Sequence, residues 1–340
     1  MGNLSDSGSL TRRDLMRITG GISASAFLAA CGVKTETGAE SAVKYPERPV
    51  ELIVPFAPGG STDLIARTLA KAIEKPLGKT MVVVNRDGAA AAVGTKEVAS
   101  AQADGYKIVF PPSSLFTLTP QLVKNPNTVG LDELRIITGL TVENIVIVAH
   151  KDSPYKSLDD VLALKQSGKR ITFAHSGAGT GAYFSQLAFY KLAGINAADV
   201  PFGGGGPAVT AVLGKQVDIG ASQPAESMKQ VQSGDLKWLA VFSATRSPLL
   251  PDVPTVKEKG FDLTVDQARF IAGPKGISDD VVKVLQKAFG EAVKAPEYDE
   301  FLKKNFIDRF EKSGDDVTTK IKTDTDKYKS LIQQFGLQPK

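Results

Sequence analysis

The stretch VELIVPFAPGGSTDLIARTLAKAIE, residues 50–74, decides the fold. Its first five residues, Val50–Val54, are β-branched or aliphatic apart from one glutamate and predict a short strand. The segment PFAPGGST predicts a tight turn, and a helix follows from Asp63. The apolar side chains that recur there at helical spacing are Leu64, Ile65, Leu69 and Ile73. A strand, a turn and an amphipathic helix in this order predict an α/β fold.

The rest of the chain repeats this alternation. Further strands are predicted at 81–84, 107–110, 135–141, 145–149, 171–175, 217–221, 236–242 and 269–273. Three helical segments, at 278–293, 297–305 and 315–334, follow the last of them. These helices need a sheet to pack on, and the unfilled face belongs to the first half of the chain. We therefore predict two α/β lobes with mostly parallel strands, between which the chain crosses over and back.

The composition argues against several classes of protein. The 340 residues include 41 Lys and Arg against 37 Asp and Glu, so the net charge of +4 lacks the basic excess of a nucleic-acid binder. One Cys excludes disulfides within the chain and Cys-based zinc sites. The two histidines, His150 and His175, leave little material for a catalytic triad or a transition-metal site. The composition therefore argues against an enzyme.

The N-terminus has the features of an export signal. Arg12 and Arg13 precede a mostly apolar run, 18–30, which is too short to span a bilayer as a helix. The run ends in LAAC, which resembles a bacterial lipobox, and a buried structural cysteine is the alternative for Cys31. We predict a twin-arginine lipoprotein signal peptide at 1–30, lipidation of Cys31, a flexible tether at 31–44 and a membrane-anchored location outside the cytoplasm.

Three glycine-rich turns each follow a predicted strand and lead to a helix: APGGSTD at 57–63, HSGAGTG at 175–181 and FGGGGP at 202–207. Glycine permits close backbone approach, and the free N–H groups of a helix's first turn suit an anion. Hydroxyl groups suited to capping a helix or to binding a ligand belong to Ser61, Thr62 and Thr180. Each turn alone is compatible with an ordinary capped helix start. Three of them at the carboxyl ends of strands favour a ligand site.

Two enzyme-like signals in the second turn are weak. Gly177, Gly179 and Gly181 are spaced GxGxG, whereas a dinucleotide fingerprint requires GxGxxG with an acidic residue about 20 positions later. His175 and Ser176 are adjacent, so on an extended chain their side chains point to opposite faces. We interpret His175 as a core or rim residue.

Longer stretches of the chain resemble a known family. They are YPERPVELIVPFAPGGSTDLIAR at 45–67, VVVNRDGA with ADGYKIVF within 82–110, SGAGTG at 176–181, VPFGGGGPAVTAVLGKQVDIG at 200–220 and LAVFSATRSPLLPDVPTVKEKGF at 239–261. In order and spacing they are similar to the Bug or TctC-type receptors of tripartite tricarboxylate transporters. The resemblance implies a two-lobed periplasmic-binding-protein-like α/β fold whose cleft closes on a carboxylated solute. It implies no catalysis, no cofactor and no metal, and it implies a monomer that serves membrane permease subunits.

The resemblance also implies lobe boundaries and a ligand site. One lobe would comprise 45–147 and 270–340, and the other 148–269. The site residues carried over from the family are Phe56, Ala57, Gly59, Gly60, Ser61, Thr62, Asp63, Ser113, Ser114, Ser176, Gly177, Ala178, Gly179, Thr180, Gly181, Phe202, Gly203 and Gly204. In such receptors the backbone of the first turn holds a carboxylate partly through ordered water, which agrees with a turn without Lys or Arg.

Several positions depart from the family pattern. They are Asp87 in place of a proline, alanines at 90–92 in place of Gly-Gly-Asn, Pro111 and Pro112 in place of Gly-Thr, Tyr183 in place of a frequent His, Gly203 in place of a frequent Lys or Arg, and no Trp near Gln267. These departures remove polar or cationic groups, so a monocarboxylate or an aromatic acid is favoured over a tricarboxylate. Phe56, Phe202 and Tyr183 either offer aromatic surface to such a ligand or pack in the core.

Two functional classes remain open at the level of the sequence. The first is a lipid-anchored receptor that captures an organic carboxylate and delivers it to the transporter. The second is a secreted α/β hydrolase of a carboxylated substrate, against which the shortage of His and Cys argues. A receptor that senses the ligand without transporting it is a further alternative.

Overall fold

The computed structural model describes residues 44–124, 129–246 and 250–339. The chain divides into two compact units, Met1–Ala42 and Val43–Lys340, and the described residues belong to the second. The predicted signal peptide, the lipidated Cys31 and all of the tether except Lys44 lie outside the described residues. Within the described ranges, every helix is too short or too polar to cross a membrane.

Strands and helices alternate along most of the described chain. The strands are β1 (Val50–Val54), β2 (Met81–Asn85), β3 (Lys107–Val109), β4 (Leu134–Asn144), β5 (Val146–His150), β6 (Ile171–His175), β7 (Ala197–Pro201), β8 (Ile219–Ser222), β9 (Leu236–Val241), β10 (Asp266–Pro274) and β11 (Asp308–Arg309). The helices are α1 (Ser61–Leu77), α2 (Ala92–Ala99), α3 (Ser114–Thr117), α4 (Thr119–Leu122), α5 (Leu158–Leu162), α6 (Leu164–Ser167), α7 (Gly181–Ala193), α8 (Gly205–Leu213), α9 (Pro224–Gln232), α10 (Asp279–Ala292), α11 (Pro296–Lys304) and α12 (Gly314–Gln334). This alternation confirms the α/β fold class.

The strands form two sheets, which define the first and the second lobe. The first sheet has the order β11-β4-β10-β3-β1-β2, and the second has the order β7-β6-β8-β5-β9. The prediction of mostly parallel strands is wrong, because four of the pairings among the described strands are parallel and five are antiparallel. Each antiparallel pair includes β4, β5 or β10, the strands next to the crossings between the sheets. Sequence alternation does not reveal this reversal of direction.

The chain passes between the sheets at two places. Ile145 alone separates β4 of the first sheet from β5 of the second, and the return lies between β9 and β10. Helix α12 contacts β4, yet its residues Tyr328 and Ile332 pack in the core of the second lobe. The predicted lobe boundaries stay a prediction, and α12 shows that helices pack across them.

Helix α1 positions the first glycine-rich turn. Its side chains Ile65, Leu69 and Ile73 are buried in the core of the first lobe, as their spacing predicts. Gly78 ends the helix in the left-handed conformation, with φ of 73°, where a side chain would be strained. At its other end, α1 begins at Ser61, shortly after the carboxyl end of β1, and faces the second lobe.

Candidate functional site

The three glycine-rich turns meet in the cleft between the lobes. The first turn follows β1 in the first lobe, while the second follows β6 and the third follows β7 in the second lobe. The Ala57 N–H donates a hydrogen bond to the Gly203 carbonyl oxygen across the cleft, with an N···O distance of 3.2 Å. A Cβ on Gly206 would lie 2.9 Å from the carbonyl carbon of Gly59. The lobes are therefore closed on each other, with backbone against backbone.

A cavity of about 330 Å³ lies between Phe56, which precedes the first turn, the segment 88–92, and the second and third turns. Phe56, Gly88, Ala89, Ala90, Ala91 and Ala92 line it on the side of the first sheet, and Ser176, Gly177, Ala178, Pro201, Phe202 and Gly203 on the side of the second. Thr119 and Val123, at the two ends of α4, complete the lining. Among the residues that the structure describes, no charged side chain belongs to this lining. We call it the outer cavity, and its size suits a small ligand with an apolar body.

The alanine methyls in the wall of the outer cavity are held by an unusual backbone. Ala89, Ala90 and Ala91 have φ angles of 47°, 52° and 83°. This left-handed region favours glycine, and a residue with a Cβ is less stable there by roughly 1–2 kcal/mol. The chain therefore keeps a glycine-like backbone while presenting methyl groups to the cavity.

A second, smaller cavity of about 10 Å³ adjoins the first, and Phe56 and Ser176 line both. The other residues that line it are Gly60, Ser61, Thr62, Gly205, Gln223, Glu226, Gln267 and Arg269. We call it the inner cavity. Its volume is close to that of a single water molecule, and most of its side chains are polar.

A buried ion pair lies behind the inner cavity. Arg269 on β10 and Glu143 on β4 are 1% and 0% exposed, and the Arg269 Nη1 is paired with the Glu143 Oε2. The Arg269 Nε donates to the Thr62 Oγ1 at 2.8 Å, and the Ser61 Oγ donates to the Glu143 Oε1 at 2.7 Å. Burial raises the pKa of Glu143, and the positive charge of Arg269 opposes that rise. The pair ties the N-terminus of α1 to the strands next to the crossings.

A second carboxylate, that of Glu226, reaches the inner cavity from the second lobe. Its Oε1 accepts the Ser61 N–H of the first lobe at 3.0 Å, and its Oε2 accepts the Gln223 N–H at 2.9 Å. Burial raises the pKa of Glu226 to about 7, although both hydrogen bonds lower it. Glu226 therefore links the two lobes through a charge-assisted hydrogen bond.

Half of the predicted site residues line one of the two cavities. They are Phe56, Gly60, Ser61, Thr62, Ser176, Gly177, Ala178, Phe202 and Gly203. Ala57 and Gly204 lie at the contact between the lobes, where a Cβ on Gly204 would be 3.4 Å from the Ala57 nitrogen. The assignment of all these residues as ligand-binding stays a prediction.

The remaining predicted residues shape the turns around the cavities. Asp63 accepts the Gly59 N–H at 3.0 Å and pairs with Arg67, and these contacts lower its pKa although burial would raise it. The Ser113 Oγ accepts the Ala268 N–H at 3.1 Å. The Gln267 amide donates to the Ser114 Oγ at 3.4 Å, and Thr180 is the N-cap of α7. Gly179 packs against Thr119, and Gly181 lies beside Gln267.

The aromatic candidates divide into cavity and core. Phe56 and Phe202 line the outer cavity. Tyr183 lines neither cavity: it is 1% exposed and packs against the ring of His175, with 4.8 Å between the ring centroids. His175 is itself fully buried beside Asp199, which confirms its interpretation as a core residue. The proposed aromatic surface therefore reduces to the two phenylalanines.

Asp87 stands opposite Gly203 at the edge of the outer cavity. A Cβ on Gly203 would lie 2.9 Å from the Asp87 Oδ2. These are two of the positions at which the sequence departs from the family pattern. A lysine or arginine at 203 would therefore meet a carboxylate of this protein before it met a ligand.

The inner residues Glu143, Glu226 and Arg269 were missed by the sequence analysis. One signal was available, because Arg269 begins a predicted strand and a buried arginine needs a partner. Its partner Glu143 is 126 residues away, so spacing along the chain does not identify it. From the sequence, Glu226 is interpreted as a helix-capping residue, and in the structure it does form a capping box with Gln223.

Comparison with known proteins identifies the family. A family model described as tripartite tricarboxylate transporter family receptor matches residues 65–337. The chain belongs to this family. The receptor is 31% identical over 299 residues to a UPF0065 protein of Bordetella pertussis, covering 87% of this chain and 92% of that protein.

Solved structures agree with this assignment. The receptor is 32% identical to the periplasmic binding protein BugD, with a TM-score of 0.82, covering 87% of this chain and all of BugD. MatC from Rhodopseudomonas palustris, solved with bound malate, shares the fold at 24% identity and a TM-score of 0.78, covering 85% of this chain and all of MatC. These findings confirm the two-lobed binding-protein fold and the class of extracytoplasmic solute-binding receptor, as opposed to a hydrolase.

Proposed function

We propose that the receptor captures a small organic acid with one or two carboxylates on an apolar or aromatic body, and delivers it to the permease subunits of a tripartite tricarboxylate-type transporter. The single observation that supports this most is the outer cavity of about 330 Å³, whose lining contains no charged side chain. Phe56 and Phe202 supply apolar surface for the body of the ligand. Ala178 and Gly203, in the second and third turns, line the same cavity, and we expect their N–H groups to bind the carboxylate.

The charges around the cleft argue against a tricarboxylate. Asp87 lies at the edge of the outer cavity, Glu226 lines the inner cavity, and Glu143 lies behind it, in contact with Ser61. Arg269 is the cationic side chain among the residues that line the two cavities, and it is already paired with Glu143. A ligand with three carboxylates would face repulsion that no free cation of the lining offsets.

A thermal-shift panel of benzoate, malate and citrate tests the ligand class, followed by calorimetry on each acid that stabilises the protein. An acid at 100 times its dissociation constant adds about 2.7 kcal/mol of stability. We expect benzoate or malate to bind more tightly than citrate. If citrate binds most tightly, the proposed ligand class is wrong, and if no organic acid binds, so is the proposed function.

We also propose that the mature receptor begins at a lipidated Cys31 and is exported through the twin-arginine route. The support is the LAAC sequence after an apolar run with Arg12 and Arg13 before it. Cys31→Ala should move the protein from the membrane fraction to the soluble fraction, because the chain has no other thiol to accept the lipid. Arg12→Lys with Arg13→Lys should stop export. A wild-type protein recovered wholly soluble with residues 1–30 intact would contradict the proposal.

A further inference from the structure

Glu226 makes a contact that its role in its own helix does not explain. As the third residue of α9 it accepts the Gln223 N–H, which is an ordinary capping box. Its second carboxylate oxygen accepts the Ser61 N–H, which belongs to the other lobe and is 165 residues away. The carboxylate therefore lies at the N-terminus of α1 as well as at that of α9.

The third turn leaves room for this carboxylate. A Cβ on Gly205, the first residue of α8, would lie 2.0 Å from the Glu226 carboxylate carbon and from both of its oxygens. Any side chain at 205 would thus expel the carboxylate from its position. Three helix N-termini, two from the second lobe and one from the first, converge on this single negative charge.

The same carboxylate lines the inner cavity opposite a buried cation. Arg269, at 1% exposure, lines the cavity from the first lobe, with Glu143 behind it. Because Arg269 is paired with Glu143, the three groups together carry a net negative charge when Glu226 is ionised. An anion that entered the inner cavity would meet Glu226 at close range.

We propose that Glu226 determines ligand specificity by occupying, from within the protein, the anion position between the helix N-termini, where it competes with a ligand carboxylate. Ligands that keep one carboxylate in the outer cavity avoid this competition, whereas those that extend a second carboxylate into the inner cavity must displace Glu226 or bind when it is protonated. The part of this inference that concerns ligands rests on the proposed function. The part that concerns the anion position occupied by Glu226 does not rest on the proposed function.

Acetate tests the anion position without knowledge of the natural ligand. Glu226→Ala empties the position, so 100 mM sodium acetate should raise the melting temperature of the variant by about 2 °C or more, relative to sodium chloride of the same ionic strength. The wild type, in which Glu226 occupies the position, should show a smaller rise. Glu74→Ala is the matched control, because Glu74 is an exposed glutamate on α1 about 20 Å from Ser61 at 1.5 Å per residue. Equal responses in all three proteins would overturn the proposal.

Malate tests the competition. Glu226→Gln removes the charge of the side chain but keeps its shape. This variant should bind malate about tenfold more tightly than the wild type at pH 8. If Glu226 instead bound the ligand, its substitution would lower the affinity. As the pH falls through about 7, Glu226 becomes protonated, so the affinity of the wild type should rise towards that of the variant, whose own affinity should stay flat. The charged groups that face Glu226 are Glu143 on β4 and Arg269 on β10.

These two measurements separate the inference from the proposed function. If Glu226→Gln binds malate no more tightly than the wild type, Glu226 does not compete and the inference is wrong. If no organic acid binds either protein, the proposed function fails, and the acetate response of Glu226→Ala still decides whether the anion position exists. Should Glu226→Ala not fold, Glu226→Ser, which also shortens the side chain and empties the position, takes its place with Glu74→Ser as its control, and equal acetate responses in these two variants would overturn the inference.

Discussion

Gly206→Ala should block closure of the lobes without harming the fold. The new Cβ would lie 2.9 Å from the Gly59 carbonyl carbon, 3.0 Å from its oxygen and 3.2 Å from the Gly60 nitrogen. All three are backbone atoms of the opposite lobe, so no side-chain rotation relieves the contact. Because Gly206 lies within α8 and alanine is the better helix former, the open protein should be as stable as the wild type or slightly more so.

The expected loss of affinity follows from the contacts that closure makes. Relief of the clash requires the lobes to separate by roughly 0.5–1 Å, since carbon atoms pack at about 3.5–4.0 Å. The Ala57–Gly203 hydrogen bond at 3.2 Å and the Ser61–Glu226 hydrogen bond at 3.0 Å would then be lost. One neutral and one charge-assisted hydrogen bond together contribute about 2–4 kcal/mol. Ligand affinity should therefore fall by about 30- to 1000-fold.

Two readouts measure this loss. Calorimetry with the tightest acid of the panel gives the change in affinity. Trp238 is the single tryptophan of the chain, and in the second lobe it packs against Phe306 of the first lobe, with 5.7 Å between the ring centroids. Its fluorescence should change when the ligand closes the wild type, and Gly206→Ala should require far more ligand for the same change.

Gly290→Ala is the matched control for this variant. Gly290 lies inside α10, and a Cβ there would have no atom within 4 Å. This variant should gain helix stability by roughly 0.8–1 kcal/mol and keep the wild-type affinity. If Gly206→Ala binds as tightly as Gly290→Ala does, the ligand does not require the closed contact between the first and third turns, and the reasoning is refuted.

Three further predictions concern other groups of the cleft. Arg269→Met should lower the free energy of unfolding by about 3–5 kcal/mol at pH 8, because it leaves Glu143 buried without its partner. Without Arg269 nothing opposes the rise that burial causes in the pKa of Glu143, so protonation removes the unpaired charge as the pH falls and the loss should shrink. Urea unfolding that shows equal losses at pH 8 and pH 5 would contradict this. Gly203→Lys alone should leave citrate affinity nearly unchanged, because the lysine pairs with Asp87. The double variant with Asp87→Asn should bind citrate more tightly in calorimetry. A gain in citrate affinity from the single variant would argue against the pairing. Ala90→Gly should raise the free energy of unfolding by about 0.5–1 kcal/mol in urea, because glycine relieves the φ of 52°, and a destabilised variant would show that the alanine is not strained.

Residues near each other in sequence were sufficient to predict most elements of this fold, although the short strands β7 and β11 were not predicted. Strand β1, the turn after it and the buried face of α1 follow from spacings of two to four residues in a single stretch. The three glycine-rich turns were also predicted from the sequence, because runs of glycine indicate where the backbone turns tightly or approaches another group closely. The crossing from one lobe to the other was inferred from three helices without a sheet to cover, and the two sheets now show where it occurs.

The tertiary structure decided which side chains meet, and hence the chemistry of the cleft. Ser61 contacts Glu143 at a separation of 82 residues and Glu226 at 165, and Arg269 contacts Thr62 at 207. No local periodicity encodes such pairs, because they depend on how the lobes close.

The division of the aromatic residues has the same origin. Tyr183 packs in the core and Phe202 in the cavity wall, although each lies within four residues of a glycine-rich turn. The sequence by itself determined most of the elements, the turns and the family, since these depend on near neighbours and on residue type. Only the tertiary structure decided the direction of the strands at the crossings and the charge of the inner cavity, because burial and distant partners exist only once the two lobes are packed together.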